Sequence, residues 1–138
     1  MGKINLEVGE VFQFAKTFTE TDVGLFAGVS GDFYDLHIND AYAKNTPYGA
    51  RLVHGVLTFS LASTVSGYAA KKGRENAASV GYDKLRFRKP VFIGDTIKAV
   101  YTITSIDEEK MRTKAECVMT NQNGETVITC EHTLIFFE

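Results

Sequence analysis

Asp32 and His37 lie five positions apart in the stretch Ser30-Gly-Asp-Phe-Tyr-Asp-Leu-His37. The stretch is polar and irregular, and a loop that returns on itself can aim both side chains at one shared water molecule. A carboxylate takes up a proton while an imidazole, a group that titrates near neutrality, supplies or orients another: general acid–base chemistry. The same spacing also reads as a capping aspartate and a packed histidine. The second element is Leu52-Val-His-Gly55. Glycine lets a ligand atom approach the backbone closely. At a helix start its N–H has no partner within the helix and stands at the positive end of the dipole. Gly55 N–H therefore suits an oxygen that gains negative charge. Its other reading is a glycine tolerated where helix and sheet pack together.

These residues need elements to position them. The chain has 138 residues, 44% hydrophobic and 23% charged, which is the size and apolar content of one domain spanning residues 1–138. A formal net charge of −2 offers no electrostatic reason for nucleic-acid or membrane-surface binding. Cys117 and Cys130 lack metal-ligand or CxxC spacing, so buried thiols in a reducing cytosol are expected rather than zinc or a disulfide. The start, Met1-Gly-Lys-Ile-Asn-Leu-Glu7, lacks the basic-then-apolar run of a signal peptide, and a cytoplasmic protein is expected. Leu52 to Ala70 carries no formal charge over 19 residues, but its hydroxyls and glycines dilute it below a membrane-spanning helix.

Along the chain, Val11–Phe18 alternates Phe12 and Phe14 with polar neighbours and predicts a strand. Thr19 and Asp22 predict a capped helix start, and Gly31 its left-handed end. Asp40 is the expected cap of a short helix running through Lys44. From Leu52 to Tyr68 the pattern is helical but apolar or small on every side, so the helix must be enclosed. After Lys71-Lys-Gly-Arg74 the period becomes two. Leu85 and Phe87, then Ile97, Ala99, Tyr101 and Ile103, alternate with polar residues, and Met111–Thr120 and Thr126–Phe137 supply two more strands. Asn121-Gln-Asn-Gly124 marks a hairpin turn. One helix followed by an antiparallel meander is α+β, with the sheet curled around the helix.

The run Ser30-Gly-Asp-Phe-Tyr-Asp-Leu-His-Ile-Asn-Asp40, followed by Leu52-Val-His-Gly-Val-Leu57 and Leu85-Arg-Phe-Arg-Lys-Pro-Val-Phe-Ile-Gly-Asp95, resembles the MaoC-like (R)-specific enoyl-CoA hydratases, the hydratase 2 motif. The resemblance covers most of the chain. It implies a hot-dog fold, a dimer or higher homo-oligomer, and reversible addition of water to 2-enoyl-CoA thioesters. It also implies Asp32 and His37 as the catalytic pair and a donor near Gly55 for the thioester oxygen. No metal or redox cofactor is implied, coenzyme A being part of the substrate. The chain departs from the family pattern at Tyr34-Asp35, where Asn-Pro is usual. Tyr34 can donate one hydrogen bond but is far larger than asparagine, and loss of the proline loosens the backbone.

If Gly55 faces the reacting centre, helical periodicity places Phe59, Ala62, Ser63 and Ser66 on the same side, where small residues leave room for an acyl chain. With Tyr34 they are the expected substrate-binding residues. Lys84, Arg86 and Arg88 share a strand face by alternation, with Lys89 adjacent. Arg86, Arg88 and Lys89 are the expected contacts for coenzyme A phosphates. His54 and His132 read as structural. Two other functions fit the same fold: an acyl-CoA thioesterase, with Asp32 directing water at the carbonyl carbon, and a non-catalytic acyl-CoA-binding module.

Overall fold

The computed structural model describes residues 3–137. A five-stranded antiparallel sheet is built from β1 (Val11–Thr17), β2 (Ala77–Phe87), β3 (Thr96–Asp107), β4 (Arg112–Thr120) and β5 (Thr126–Phe136), in the spatial order β1-β3-β4-β5-β2. The predicted alternation holds where it is clearest: Ile97, Ala99, Tyr101 and Ile103 of β3 are all buried on the inner face, opposite Met119, Cys117 and Ala115 of β4. Against that face lies the helix α5 (Leu61–Gly73), which buries Leu61, Ala62, Val65, Ser66 and Ala69. A Cβ on Gly73 would fall 2.7 Å from the Phe136 ring, so glycine permits the close approach of this helix end to β5.

Four short helices precede α5: α1 (Glu20–Ser30), α2 (Asp35–Ile38), α3 (Asp40–Lys44) and α4 (Gly55–Phe59). The start of α1 is the expected capping box. Asp22 N–H donates to Thr19 Oγ1 at 3.2 Å and Thr19 N–H to Asp22 Oδ2 at 2.9 Å. Gly31 ends α1 at φ 79°, its N–H on Ala27 C=O. The cap of α3 is Asn39 rather than Asp40. Asn39 has the extended backbone of a cap and its Oδ1 accepts from Tyr42 N–H at 3.1 Å, leaving Asp40 inside the helix.

The helix expected over Leu52–Tyr68 is divided and shifted. Leu52–His54 is extended, with Leu52 bridging Phe92 and Val53 N–H donating to Val91 C=O at 2.8 Å. The helix starts at Gly55 and breaks at Ser60, whose hydroxyl donates to Leu57 C=O at 2.6 Å and so competes with the backbone ladder. Beyond Tyr68 the good helix formers Ala69, Ala70, Lys71 and Lys72 carry α5 to Gly73. Nor is α5 enclosed all round: Ser63, Gly67 and Tyr68 face solvent. Strand β2 is longer than the pattern showed and irregular. Lys84 takes φ 53° between Asp83 and Arg86, where the register with β5 shifts, so Lys84, Arg86 and Arg88 are not an uninterrupted alternating face.

Under α5 lies a buried polar chain. His132, 1% exposed, meets the Tyr101 hydroxyl through Nδ1 at 2.7 Å and the Ser79 hydroxyl through Nε2 at 2.8 Å. A neutral imidazole has one donor and one acceptor, which the two hydroxyls match. Burial pushes His132 down to about 4 and pushes the Tyr101 hydroxyl up. Beside it, Cys117 and Cys130 pair across β4 and β5 as free buried thiols. The hydrogen bond to Cys130, with burial, pushes the Cys117 thiol well above its ordinary range. Both this histidine and these thiols are inward packing elements of the sheet, as the sequence reading had them.

Candidate active site

The loop after α1 is folded by its own small polar side chains. Ser30 Oγ donates to Phe26 C=O at 2.7 Å and accepts from Asp32 N–H at 3.1 Å. Asp32 Oδ1 then accepts Tyr34 N–H at 3.2 Å, an Asx-type turn. His37 N–H reaches Tyr34 C=O at 2.9 Å as α2 begins. The chain thus doubles back, and the side chains of Asp32 and His37 converge. Together with His54 they place one nitrogen or oxygen each within 4.8 Å of one another.

The roles of the ring nitrogens follow from their partners, because a carbonyl only accepts. His37 Nδ1 lies 2.8 Å from Leu52 C=O and must carry the hydrogen, which leaves Nε2 with a free lone pair in the neutral ring. His54 Nε2 lies 3.0 Å from Asp32 C=O and is likewise the donor. Tyr34 N–H occupies one carboxylate oxygen of Asp32, so the other is left for a ligand. Leu52 N–H donates to Leu36 C=O at 3.1 Å, so the loop is tied to the extended Leu52–His54 segment at both ends.

A carboxylate with two imidazoles is also a possible metal set. The rings argue against it: those of His37 and His54 stack at 4.0 Å and 27°. Their in-plane lone pairs run side by side, whereas a zinc ion needs nitrogens converging on it at about 2.0–2.1 Å. The set does not fit a metal centre.

A cavity of about 300 Å³ opens beside His37, lined by it and by Gly55, Thr58, Phe87, Arg88 and Lys89 among others, while Asp32 is exposed and does not line it. Gly55 is the first residue of α4, and no side chain caps that helix end, so its N–H is one of the donors without an intrahelical partner. Phe87 packs against it: a Cβ on Gly55 would lie 2.8 Å from the Phe87 ring. The glycine is therefore required by packing as well as being available to a ligand.

The other expected substrate contacts divide. Arg88 and Lys89 line the cavity, Arg88 Nε bonded to Thr129 Oγ1 at 2.8 Å and Lys89 paired with Glu125 at 2.8 Å. The Arg86 guanidinium turns back to Leu85 C=O at 2.8 Å, and Lys84 faces Glu131 at 3.5 Å. Phe59, Ala62, Ser63 and Ser66 are not brought to this cavity. Phe59 packs edge-on against Tyr82 at 4.7 Å; Ala62 is buried against the sheet. Ser66, itself buried, bonds to Ser63 C=O at 3.0 Å, and Ser63 is exposed. Tyr34 does not line the cavity either; it is half exposed, its ring edge-on to His37 at 5.7 Å and to Tyr42 at 6.2 Å. Its hydrogen bond to Tyr42 raises the Tyr34 hydroxyl above its ordinary range.

Two contributions were not read from the sequence. His54 touches both Asp32 and His37, and Thr58 and Phe87 wall the cavity. The available signal was a histidine placed directly before Gly55 in an otherwise uncharged run.

Comparison with known proteins places this geometry in context. The sequence model of the MaoC like domain family matches residues 4–127. The (R)-specific enoyl-CoA hydratase of Aeromonas caviae is 32% identical over 131 residues, covering 95% of this chain and 96% of that protein. The (R)-specific enoyl-CoA hydratase of Rhodospirillum rubrum is 37% identical over 106 residues, covering 77% and 72%. The solved (R)-hydratase from A. caviae involved in PHA biosynthesis superimposes with a TM-score of 0.88 at 31% identity, over 96% of this chain and 98% of that one.

Proposed function

The chain belongs to the MaoC-like domain family, with its hot-dog fold, and on that premise we propose that it is an (R)-specific enoyl-CoA hydratase, equally a 3-hydroxyacyl-CoA dehydratase in reverse. The observation that carries this reading is the convergence of the Asp32 and His37 side chains, with His37 and Gly55 lining one cavity. In the hydration direction the free oxygen of Asp32 takes a proton from water as the water oxygen bonds to C3 of the enoyl group. The C2–C3 π electrons move toward C2 and the thioester oxygen, where Gly55 N–H donates to the growing negative charge. A proton returns to C2 from the Asp32–His37 pair. His37, its Nδ1 fixed on Leu52 C=O, aims Nε2 at the same water. Oxygen and hydrogen then arrive on one face, a syn addition, and nothing else is consumed.

Arg88 and Lys89 at the cavity are the cations that fit coenzyme A phosphates. The reading includes a homodimer in the cytoplasm. Strands β1 and β2 are unpaired sheet edges, and Val80 and Phe87 on β2 are about half exposed, at 48% and 54%. Among the described residues no helix is long and apolar enough to cross a membrane.

The test is a panel of 2-enoyl-CoA and 3-hydroxyacyl-CoA substrates followed at the thioester absorbance, with chiral analysis of the product. The expected result is (R)-3-hydroxyacyl-CoA with the thioester intact. Asp32→Asn should lower kcat by about 10²–10⁴-fold while ligand binding persists. Near-normal turnover by that variant refutes the assignment. Release of free thiol from saturated acyl-CoA, without hydration, refutes it in favour of a thioesterase.

A further inference from the structure

His54 is 1% exposed, and its Nδ1 is buried without a hydrogen-bond partner among the described residues. An unsatisfied buried acceptor destabilises a fold. A phenyl ring would fill the same space without that loss, so the imidazole's presence directs attention to its other nitrogen and to its faces. Nε2 donates to Asp32 C=O at 3.0 Å. One face stacks on His37 at 4.0 Å, and the edge of Phe26 closes on the ring at 4.8 Å. The His54 backbone is held too, its C=O accepting Thr58 N–H at 3.0 Å and Thr58 Oγ1 at 3.3 Å.

Among the described residues, the other hydrogen bonds of Asp32 are local. Ser30, the last residue of α1, accepts its N–H, and Tyr34 N–H donates to its carboxylate, both partners lying two residues away along the chain. Among the described residues, the hydrogen bond to Asp32 from a segment distant in sequence comes from His54. We propose that His54 is a positioning residue for the hydration reaction: its Nε2–H sets where the Asp32 carboxylate stands, and its ring face sets the plane of His37. This rests on the hydratase reading above, and it adds to it the group that fixes the distance between the two reacting side chains. The donor and the ring face are separable. A glutamine amide reaches from Cβ about as far as the imidazole Nε2 and can donate to the same carbonyl, without the ring. Phenylalanine keeps the ring and removes the donor.

The experiment compares His54→Phe and His54→Gln with wild type in kcat, KM and Tm on the best enoyl-CoA of the panel. A misplacement of about 1 Å costs about 10²-fold in rate, so His54→Phe should lose about 10²-fold in kcat while KM stays within about twofold. Its Tm should stay close to that of wild type, because relief of the orphaned nitrogen offsets the lost bond to Asp32 C=O. His54→Gln should recover at least about tenfold of the lost kcat by restoring the donor. A Phe variant within about threefold of wild-type kcat overturns the proposal. So does equal loss in both variants, or a Phe variant whose fall in kcat follows a fall in Tm. If wild type hydrates no substrate in the panel, the hydratase reading fails instead. The positioning bond is then still tested by ¹⁵N NMR of the unliganded protein: His54 should be the Nε2–H tautomer with scalar coupling to the Asp32 carbonyl, and the Nδ1–H tautomer overturns it.

Discussion

Gly55→Ala adds one methyl group between the start of α4 and the Phe87 ring. The new Cβ would stand 2.8 Å from Phe87 Cε1, 3.0 Å from Cδ1 and 3.3 Å from Cζ. Carbon atoms rest at about 3.5–4.0 Å, so the ring must withdraw by roughly 0.7 Å or turn aside. Phe87 is 54% exposed and ends an edge strand, so it can turn. If about 50 Å² of apolar surface is uncovered, that costs about 1.2 kcal/mol, while alanine in place of glycine in a helix contributes up to about 1 kcal/mol. Net stability should thus change by less than about 1 kcal/mol, read as the urea midpoint. Activity should not be spared. The methyl and the displaced ring both enter the wall of the cavity next to the N–H assigned to the thioester oxygen. An oxyanion donor is worth about 10²–10³ in kcat, so even its partial displacement should lower kcat/KM by at least about tenfold. Unchanged kcat/KM with unchanged stability would show that the thioester does not reach Gly55. A collapse in stability would show that the Phe87 ring cannot turn, and the reasoning about its mobility would fail.

Two further outcomes are expected. His132 titrates at about 4 when folded, against the ordinary 6.5, so between those values the unfolded chain binds the extra proton and stability falls as pH falls. The shift corresponds to about 3 kcal/mol, lost progressively from near pH 7 to pH 4; urea midpoints across that range should show it, and a His132→Gln variant with the same pH slope would disprove the source. Tyr34 has φ −57°, an angle that proline shares, and its N–H holds Asp32 Oδ1. Tyr34→Pro should therefore lower kcat by removing that donor, whereas Tyr34→Phe, which loses only the contact to the Tyr42 hydroxyl, should leave kcat within about threefold; the reverse order would place the phenol, not the backbone, in the reaction.

What the sequence made legible divides along a physical line. Ile97 to Ile103, the Thr19–Asp22 box and the Gly31 stop are local signals, each carried by a period or by a side chain reaching its own backbone, and each appears as read. The convergence of Asp32 and His37 belongs with them, because Ser30 and Asp32 fold the loop with hydrogen bonds two to four residues long. Where tertiary pairing decides, the pattern fails. Leu52–His54 is helical by composition but extended because Val91, Phe92 and Leu36 pair with it. That pairing moves the helix start to Gly55, and Ser60 then breaks the helix five residues later. A face counted from Gly55 through Ser66 assumes one unbroken helix. After the break, Ala62 and Ser66 fall with Val65 and Ala69 on the side that meets the sheet, and the cavity is closed instead by Phe87 and Arg88, more than thirty residues away in sequence. His54 belongs with the unread part for the same reason. Its type was visible, but its hydrogen bond to Asp32 and its stacking on His37 exist only because the extended segment lies against the loop, a pairing that no local pattern announces.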